Sequence, residues 1–307
     1  MHAVIATPGD DEPVSFVQVG QPAQTERQAI VSVYASSVNR DELRMLAIQP
    51  HGWRPGRDVA GVVTRSAPDG TGPRRGARVV GLVDGGGWSE SVAVDASRLV
   101  ELPHSVTMEQ AAALPTAGLA ALRSLRLGGS LLGRRVLVTG ANGGVGRFHL
   151  QFAALSGAEV SAVTTRAEQV EKELKSLGAT EVVECVEDAG APFDLVLESV
   201  GGRVLAAALS QVAPGGTVVL LGSSSGEKTP VDVHDLAGGG GARVHSFGPG
   251  LNTEPDGADL EVLVDLVAAG RVRAEPGHTA DWSRLADVLR LVRDRGLSGG
   301  KAVVTMR

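Results

Sequence analysis

The sequence predicts an α/β protein in which a doubly wound parallel sheet is combined with a second, β-rich domain. Three observations favour this fold class. Short β-type runs separated by Gly- and Pro-rich turns fill the first hundred residues. From about residue 117, apolar strands alternate with helix-like segments, as in a parallel sheet with helices on both faces. The length of 307 residues also exceeds the usual size of one compact core, so two domains are expected.

The β-rich domain is predicted from the N-terminal region and the end of the chain. Its expected strands cover 14–19, 28–34, 59–64, 78–83, 91–94 and 98–102, and helical patterns follow at 108–114 and 118–127. Near the C-terminus, 282–293 has the spacing of a helix and 301–305 that of a strand. We therefore assign 1–116 and 267–307 to this domain and 117–266 to the other.

The parallel sheet is predicted from the alternation in the second domain. Its expected strands cover 136–139, 159–163, 181–184, 195–198 and 217–222. One expected helix begins near Val145, and two others cover 167–177 and 204–212. A further strand at 242–246 has the character of an exposed edge. Because an exposed edge can pair with its equivalent across a two-fold axis, we expect a homodimer.

The turn between the first of these strands and its helix is rich in glycine. The residues expected to hold a ligand there are Gly140, Asn142, Gly143, Gly144, Val145 and Gly146. Glycine permits a tight turn and close approach to a phosphate, and the following helix offers free N–H groups and a positive dipole end. The strand–turn–helix–strand context predicts a dinucleotide cofactor, although in a G-x-G-x-x-G alignment the first position is Ala141.

The second strand of this unit ends in Thr164, Thr165 and Arg166, where NAD-binding proteins commonly carry an acidic residue. An acid would repel a 2′-phosphate, whereas two hydroxyls and a guanidinium would bind it. The cofactor expected is therefore NADPH. The alternative is that Arg166 is a solvated residue at the start of a helix.

Composition and charge exclude several classes of function. A net charge of −6 and a pI near 5.7 argue against nucleic-acid binding. The single cysteine, Cys185, fits a reducing compartment and is expected to be a buried or half-buried small residue at the end of a strand. No signal peptide and no apolar run of about twenty residues is evident, so we expect a cytoplasmic protein without membrane contact.

Several segments together resemble the medium-chain dehydrogenase/reductase superfamily over essentially the whole chain. They are Gly56-Arg57-Asp58-Val-Ala60-Gly61-Val-Val63, Arg78-Val-Val-Gly81, the turn at 140–146, Asp194-Leu-Val-Leu-Glu-Ser-Val-Gly201-Gly202, Pro214-Gly-Gly-Thr-Val and Gly300-Lys301-Ala-Val. The resemblance implies a Rossmann domain and a GroES-like barrel. Arg57 stands where the zinc enzymes of this superfamily have a metal-binding histidine, so we expect no metal.

Two turns, Gly222-Ser223-Ser224-Ser225-Gly226 and Asn39-Arg-Asp-Glu42, resemble those of the zinc-independent branch of this superfamily, the quinone oxidoreductases and enoyl reductases. That resemblance implies a nicotinamide site built from Asn39, with Ser199, Gly222, Ser223 and Ser224 on its rim. For Asn39, the alternative is a turn residue that bonds its own backbone. Asp41 is expected at the surface or as a helix cap.

Glu42 and Arg57 are candidates to orient substrate or water. Together with Asn39, they are the catalytic residues that we predict. Arg57 could instead form a buried structural pair with Asp58, or lie in a solvated loop. The region after Phe247 is short and polar, which implies an open site.

The predicted function is hydride transfer from NADPH to a quinone or an α,β-unsaturated carbonyl compound. Such substrates need little electrophilic help, because the added charge delocalises onto a distant oxygen that N–H groups or water can stabilise. The alternative is a non-catalytic NADP(H)-binding sensor or interaction protein on the same fold.

Overall fold

A computed structural model describes residues 1–190, 192–232, 240–248, 256–274 and 276–306. The chain forms two compact units, 1–119 with 254–307, and 120–253. The division predicted from the sequence lay at 116/117 and 266/267.

The first unit is built on a seven-stranded mixed sheet. Its strands are β3 (Gln28–Val38), β4 (Asp58–Arg65), β5 (Arg78–Leu82), β6 (Ser91–Asp95), β7 (Leu99–Glu101), β14 (His278–Asp281) and β15 (Ala302–Thr305). They run in the order β14-β15-β3-β4-β5-β7, with β6 also paired to β3. β1 (His2–Ala6) and β2 (Val14–Gln18) form a separate antiparallel pair. Antiparallel pairing of β15 with β3 brings the last strand of the chain into the same sheet as the first hundred residues.

Five of the described α-helices belong wholly or partly to the first unit. They are α1 (Arg40–Ile48), α2 (Met108–Ala112), the first part of α3 (Pro115–Arg126), α7 (Asp256–Ala268) and α8 (Leu285–Arg293). Helix α8 buries Leu285, Val288, Leu289 and Val292, which recur at helical spacing, in the core that also contains Trp88. The predicted helix at 282–293 begins as a short 3-10 turn and becomes α-helical only at Leu285.

The second unit contains a six-stranded sheet in which every pairing is parallel. Its strands are β8 (Arg135–Thr139), β9 (Glu159–Val163), β10 (Glu181–Val183), β11 (Phe193–Glu198), β12 (Val212–Leu220) and β13 (Arg243–Ser246), and the helices are α4 (Gly144–Leu155), α5 (Ala167–Ser176) and α6 (Gly202–Ser210). The spatial order is β10-β9-β8-β11-β12-β13. This arrangement is the doubly wound sheet predicted from the sequence.

Some predicted boundaries were wrong for identifiable reasons. The helix expected at 204–212 ends at Ser210, because Val212 already begins β12 and contacts β11 opposite Phe193. β12 therefore starts five residues earlier than the strand expected at 217–222. Helix α1 was not predicted, because its first turn is polar and its apolar residues give only a weak helical pattern.

Candidate functional site

The order of strands in the second unit reverses between β8 and β11. From β8 the chain proceeds outward through β9 and β10, whereas β11, on its other side, leads outward through β12 and β13. In open α/β sheets, ligands bind beyond the carboxyl ends of the strands at such a switch point. The residues at these two ends are Thr139 on β8 and Glu198 on β11.

The glycine-rich turn after β8 lies at this switch point and is closely packed. Gly140 has a φ of +60°, and a Cβ atom there would lie 2.7 Å from the Ser199 hydroxyl oxygen. At Gly146, a Cβ atom would lie 2.5 Å from the carbonyl oxygen of Gly140, so α4 packs directly against the turn. Helix α4 begins at Gly144 after Gly143 as its N-cap, which directs the N–H groups of its first turn, including that of Val145, out of the helix end.

Arg147 braces this turn, a role that the sequence analysis missed. Its Nη2 lies 2.7 Å from the Oδ1 of Asn142, and its Nη1 forms an ion pair of 2.6 Å with Glu173 on α5. The predicted ligand residue Asn142 therefore uses its side-chain oxygen to hold the turn. The role of Arg147 could have been suspected from its position, because it is a basic residue directly after Gly146, the last glycine of the turn.

Glu198 ties the ends of β8 and β11 together. The side chain is fully buried, and its Oε1 accepts hydrogen bonds from the Thr139 hydroxyl at 3.1 Å and from the N–H groups of Val200 and Gly201 at 2.8 and 2.9 Å. Burial raises the pKa of this carboxyl, while the three hydrogen bonds oppose the shift. The carboxyl thus fixes the turn that carries Ser199.

The predicted serine turn lies beside Ser199. The N–H of Ser224 donates to the Ser199 carbonyl oxygen at 3.1 Å, and the Ser199 hydroxyl donates to the carbonyl oxygen of Thr139 at 3.0 Å. A Cβ atom at Gly222 would approach the same Ser199 carbonyl to 3.4 Å, and one at Gly201 would meet the Ser223 hydroxyl at 2.7 Å. The structure therefore brings the glycine turn, Ser199 and the serine turn together.

The predicted phosphate-binding residues follow β9, the neighbour of β8. Thr164 is buried and donates its N–H to Val183, Thr165 is exposed, and the half-buried Arg166 is the N-cap residue of α5. The glycine turn reaches this strand, since the N–H of Ala141 lies 3.1 Å from the carbonyl oxygen of Val163.

The first unit contains a buried polar cluster around Asp58, which is fully buried. Its Oδ1 accepts from the N–H and hydroxyl of Thr116 at 2.9 and 2.5 Å. Its Oδ2 accepts from the Ser37 hydroxyl and from the Asn39 amide, the latter at 2.9 Å. Ser37, Asp58 and Thr116 lie on β3, β4 and α3, and Asn39 is the N-cap residue of α1, so the cluster joins several elements of the unit.

Lys301 closes the cluster from the other side. Its side chain is only 8% exposed, its Nζ lies 3.5 Å from the Oδ2 of Asp58, and it donates a short hydrogen bond to the Oδ1 of Asn39. Asn39 is therefore held at both ends of its amide. In the sequence, Lys301 is recognisable only as part of the Gly300-Lys301-Ala-Val motif, and nothing there connects it with Asn39.

The other two predicted catalytic residues have different environments. Glu42 is fully buried in the first turn of α1, where its Oε2 accepts from the N–H of Asn39 at 2.7 Å. Burial raises the pKa of Glu42 to about 8. Arg57 forms an ion pair of 2.7 Å with the half-exposed Asp41 in that same turn. The alternative prediction of an Arg57–Asp58 pair is therefore wrong, because Asp58 is engaged by uncharged donors and Lys301.

Cys185 and the region after Phe247 were the subjects of two further expectations. Cys185 is exposed, so its predicted burial is wrong. The reason is that β10 ends at Val183, and Cys185 precedes a short 3-10 turn beyond the sheet. The expected open site after Phe247 depends mainly on 249–255, which lie outside the described residues.

A glycine turn at the switch point of a parallel sheet, in a chain that also contains a β-rich unit, is typical of two-domain dinucleotide-binding proteins. Two family models match this chain: Alcohol dehydrogenase GroES-like domain over residues 25–104, and Zinc-binding dehydrogenase over 144–266.

Curated relatives include proteins of comparable length and much larger proteins. The NAD(P)H oxidoreductase RTN4IP1 of Bos taurus is 30% identical over 82% of this chain and 70% of its own length. Acrylyl-CoA reductase AcuI of Ruegeria pomeroyi is 37% identical over 58% of this chain and 59% of its own. Pikromycin polyketide synthase component PikAII of Streptomyces venezuelae is 31% identical over the whole chain. The chain spans only 8–13% of the length of the first three curated relatives, all polyketide synthase proteins.

Solved structures give the same fold. A quinone oxidoreductase from Pseudomonas syringae has a TM-score of 0.87 at 24% identity, with 99% of each chain covered. A thermostable alcohol dehydrogenase from Pyrobaculum aerophilum has a TM-score of 0.87 at 27% identity, again with 99% of each chain covered. The protein belongs to the medium-chain dehydrogenase/reductase superfamily.

One of the matched families is named for zinc, but the described residues around Arg57 and Asp58 do not offer a set of zinc ligands. In the described part of the chain, no group of three or more His, Cys, Asp or Glu side chains is arranged to hold a metal ion. Arg57 is a cation, and the oxygens of Asp58 already accept hydrogen bonds from Ser37, Asn39 and Thr116. Within the same described ranges, every helix is too short or too polar to cross a lipid bilayer.

Proposed function

We propose that the protein is an NADPH-dependent reductase that transfers hydride to a quinone or an α,β-unsaturated carbonyl compound without a metal. The observation that carries this proposal is the closely packed turn at the switch point, where only glycine fits at Gly140 and Gly146. Such a surface lets a pyrophosphate approach the backbone and the first turn of α4.

The chain's own residues would hold the nucleotide at three places along the sheet edge. The N–H groups of Gly144, Val145 and Gly146 would bind the pyrophosphate, as part of the turn from Gly140 to Gly146. Ser199 and the serine turn of Gly222, Ser223 and Ser224 would hold the nicotinamide ribose through hydroxyl and backbone groups. When bound, NADPH supplies the hydride.

The preference for NADPH over NADH is assigned to Thr164, Thr165 and Arg166. Two hydroxyls and a guanidinium provide donors for a 2′-phosphate, and a cation at the start of α5 adds electrostatic attraction. No carboxylate stands in the segment 163–166 to repel that phosphate.

At the reacting end, we assign the Asn39 amide to the nicotinamide and assign Glu42 and Arg57 to the surroundings of the substrate. Glu42 cannot readily act as a charged base near neutral pH, because burial raises its pKa to about 8. Arg57 keeps a partly exposed guanidinium that can stabilise charge on a carbonyl oxygen.

Conjugated acceptors suit this set of residues better than simple ketones. Reduction at a β-carbon spreads the added charge onto a distant oxygen, so hydrogen-bond donors suffice where an unactivated ketone needs a stronger electrophile. The similarity to an acrylyl-CoA reductase supports an α,β-unsaturated substrate.

We also propose a cytoplasmic homodimer in which β13 (Arg243–Ser246) pairs with its equivalent. This strand is at the edge of the six-stranded sheet, and Val244 on it is 49% exposed. Light scattering that gives a monomer mass would refute the dimer.

The activity is tested by following NADPH oxidation with 1,2-naphthoquinone, a crotonyl thioester and simple enones, with NADH measured in parallel. We expect turnover with at least one acceptor and a clear preference for NADPH. Tight NADPH binding without turnover across the panel would instead favour a non-catalytic nucleotide-binding protein.

The phosphate assignment is tested with Arg166→Ala. We expect the Kd for NADPH to rise about tenfold or more while that for NADH changes little, since one charge-assisted contact contributes roughly 1.5–3 kcal/mol. Lys172→Ala, on the exposed face of the same helix, is the matched control. Equal losses for both nucleotides would contradict the assignment.

A further inference from the structure

The amide of Asn39 lies between two buried groups with opposite hydrogen-bonding character. Lys301 can only donate, and it contacts the Oδ1 of Asn39. The carboxylate of Asp58 can only accept, and it lies 2.9 Å from the Nδ2 of Asn39. A reversed amide would place its NH₂ group against an ammonium and its oxygen against a carboxylate, so only one orientation is stable.

The remaining neighbours hold the two charged groups in place. Asp58 also receives the Ser37 and Thr116 hydroxyls and the N–H of Thr116, while the N–H of Asn39 is bound by Glu42. Burying an ammonium and a carboxylate costs free energy that their attraction need not recover, and apolar residues of similar size often stabilise a fold as well. An arrangement of this kind therefore indicates a requirement for a defined orientation.

The Asn39 side chain also takes part in a capping box with the backbone N–H of Glu42. The contact with Asp58 uses one hydrogen of the Nδ2, and the second hydrogen can be offered to a ligand. The direction of the amide decides which side of Asn39 presents the donor and which presents the acceptor.

We propose that Lys301, together with Asp58, is a positioning residue that sets the orientation of the Asn39 amide for the hydride-transfer site. The role rests on the proposed function, because it gives a catalytic consequence to Asn39 only if that residue contacts the nicotinamide. The orientation itself depends on the contacts of Lys301 and Asp58 alone.

The kinetic test compares the full-length wild type with Lys301→Met, which keeps the length and apolar stem of the side chain but cannot donate. We expect kcat to fall about tenfold to a hundredfold, as misplacement of a site group does, while the Kd for NADPH changes less than about threefold. Lys301→Arg restores the donor and should recover most of kcat. Lys175→Met, which removes an exposed lysine paired with Glu171, is the matched control and should not change either quantity.

The double variant Asn39→Ala/Lys301→Met separates positioning from a general structural effect. If Lys301 acts through Asn39, the double variant is no slower than Asn39→Ala alone. Losses in kcat that multiply would overturn the proposal, as would full activity of Lys301→Met. If Lys301→Met does not fold, Lys301→Gln takes its place, because a neutral amide both donates and accepts and no longer imposes one direction.

A second measurement decides the orientation without any turnover. The side-chain NH₂ signals of Asn39 are identified in a ¹⁵N–¹H correlation spectrum by their loss in Asn39→Ala. They should move in Lys301→Met and return in Lys301→Arg. Signals that stay in place would overturn the proposal. If the wild type reduces no acceptor but these signals move as expected, the proposed function fails while the orienting role of Lys301 stands.

Discussion

Glu42 gives the most quantitative prediction, because its carboxyl is fully buried and one of its oxygens, Oε1, has no hydrogen-bond partner among the described residues. Burial raises its pKa from 4.5 to about 8, and the negative charge of Asp58 adds to the shift, whereas the N–H of Asn39 and the charge of Lys301 oppose it. The native protein therefore holds this proton more tightly than the unfolded chain does.

The sign of the pH dependence follows from that difference. The stabilising effect of the proton is fully present below the unfolded pKa of 4.5 and is lost as pH rises through the folded pKa of about 8. At about 1.36 kcal/mol per pKa unit, the whole range corresponds to roughly 5 kcal/mol. Between pH 6.5 and 8.5 the expected decrease in the free energy of unfolding is about 2 kcal/mol.

This window avoids the other strongly shifted buried group. Burial lowers the pKa of His149 from 6.5 to about 3, so its contribution changes mainly below pH 6.5. His149 also lies in the second unit, whereas Trp53, Trp88 and Trp282 all lie in the first unit with Glu42. Tryptophan fluorescence therefore reports the unfolding of the unit of interest.

The perturbation is Glu42→Gln, which keeps an oxygen to accept from the N–H of Asn39 but cannot ionise. Urea unfolding followed by tryptophan fluorescence should show the wild type losing about 2 kcal/mol more than this variant between pH 6.5 and 8.5. Glu26→Gln removes the same charge from an exposed site of the same unit and should match the wild type. Parallel pH profiles for the wild type and Glu42→Gln would refute the reasoning.

Three further predictions concern the second unit. Gly146→Ala should raise the Kd for NADPH at least tenfold in fluorescence titrations, because its Cβ would lie 2.5 Å from the Gly140 carbonyl oxygen. Gly20→Ala, where a Cβ atom would have nothing within 4 Å, is the control and should leave the Kd unchanged. Leu197→Ala should lower the free energy of unfolding by about 2–5 kcal/mol, because this side chain is fully buried in β11. Leu132→Ala, at a position that is 80% exposed, should change it by less than about 0.5 kcal/mol in the same circular-dichroism melts. His149→Gln should reduce the loss of stability between pH 6.5 and about 3, since the native protein resists protonation of this residue; an acid profile identical to that of the wild type would contradict its shifted pKa.

Much of the parallel sheet could be predicted from local sequence. The apolar run before Gly140 specifies a strand, and the strand predicted at 159–163 has the same bounds as β9. The glycine turn was found for the same reason, since its spacing and its neighbours lie within a single strand–helix–strand segment. Local periodicity carries this information because each such element depends mainly on its own pattern of apolar residues.

The polar cluster of the first unit could not be predicted in this way. Lys301 and Asn39 are 262 residues apart, and no periodic pattern links them. The helix after Asn39 was missed because its first turn is polar, and its start depends on Glu42 bonding back to the N–H of Asn39. Cys185 was misplaced because burial depends on where the short strand β10 ends, a boundary that differs by one residue from the predicted one.

Pairing of β15 with β3 also has a consequence for biosynthesis. The first unit is interrupted by 120–253, so a ribosome releases the whole second unit before the last strand of the first is made. Lys301 follows Asn39 by 262 residues. At a synthesis rate of about 5–20 residues per second, roughly 13–52 s pass between the synthesis of the two residues. During that interval Asp58 lacks its ammonium partner and β3 has an open edge. Until β15 is made, the nascent first unit therefore exposes a strand edge that can pair with other chains.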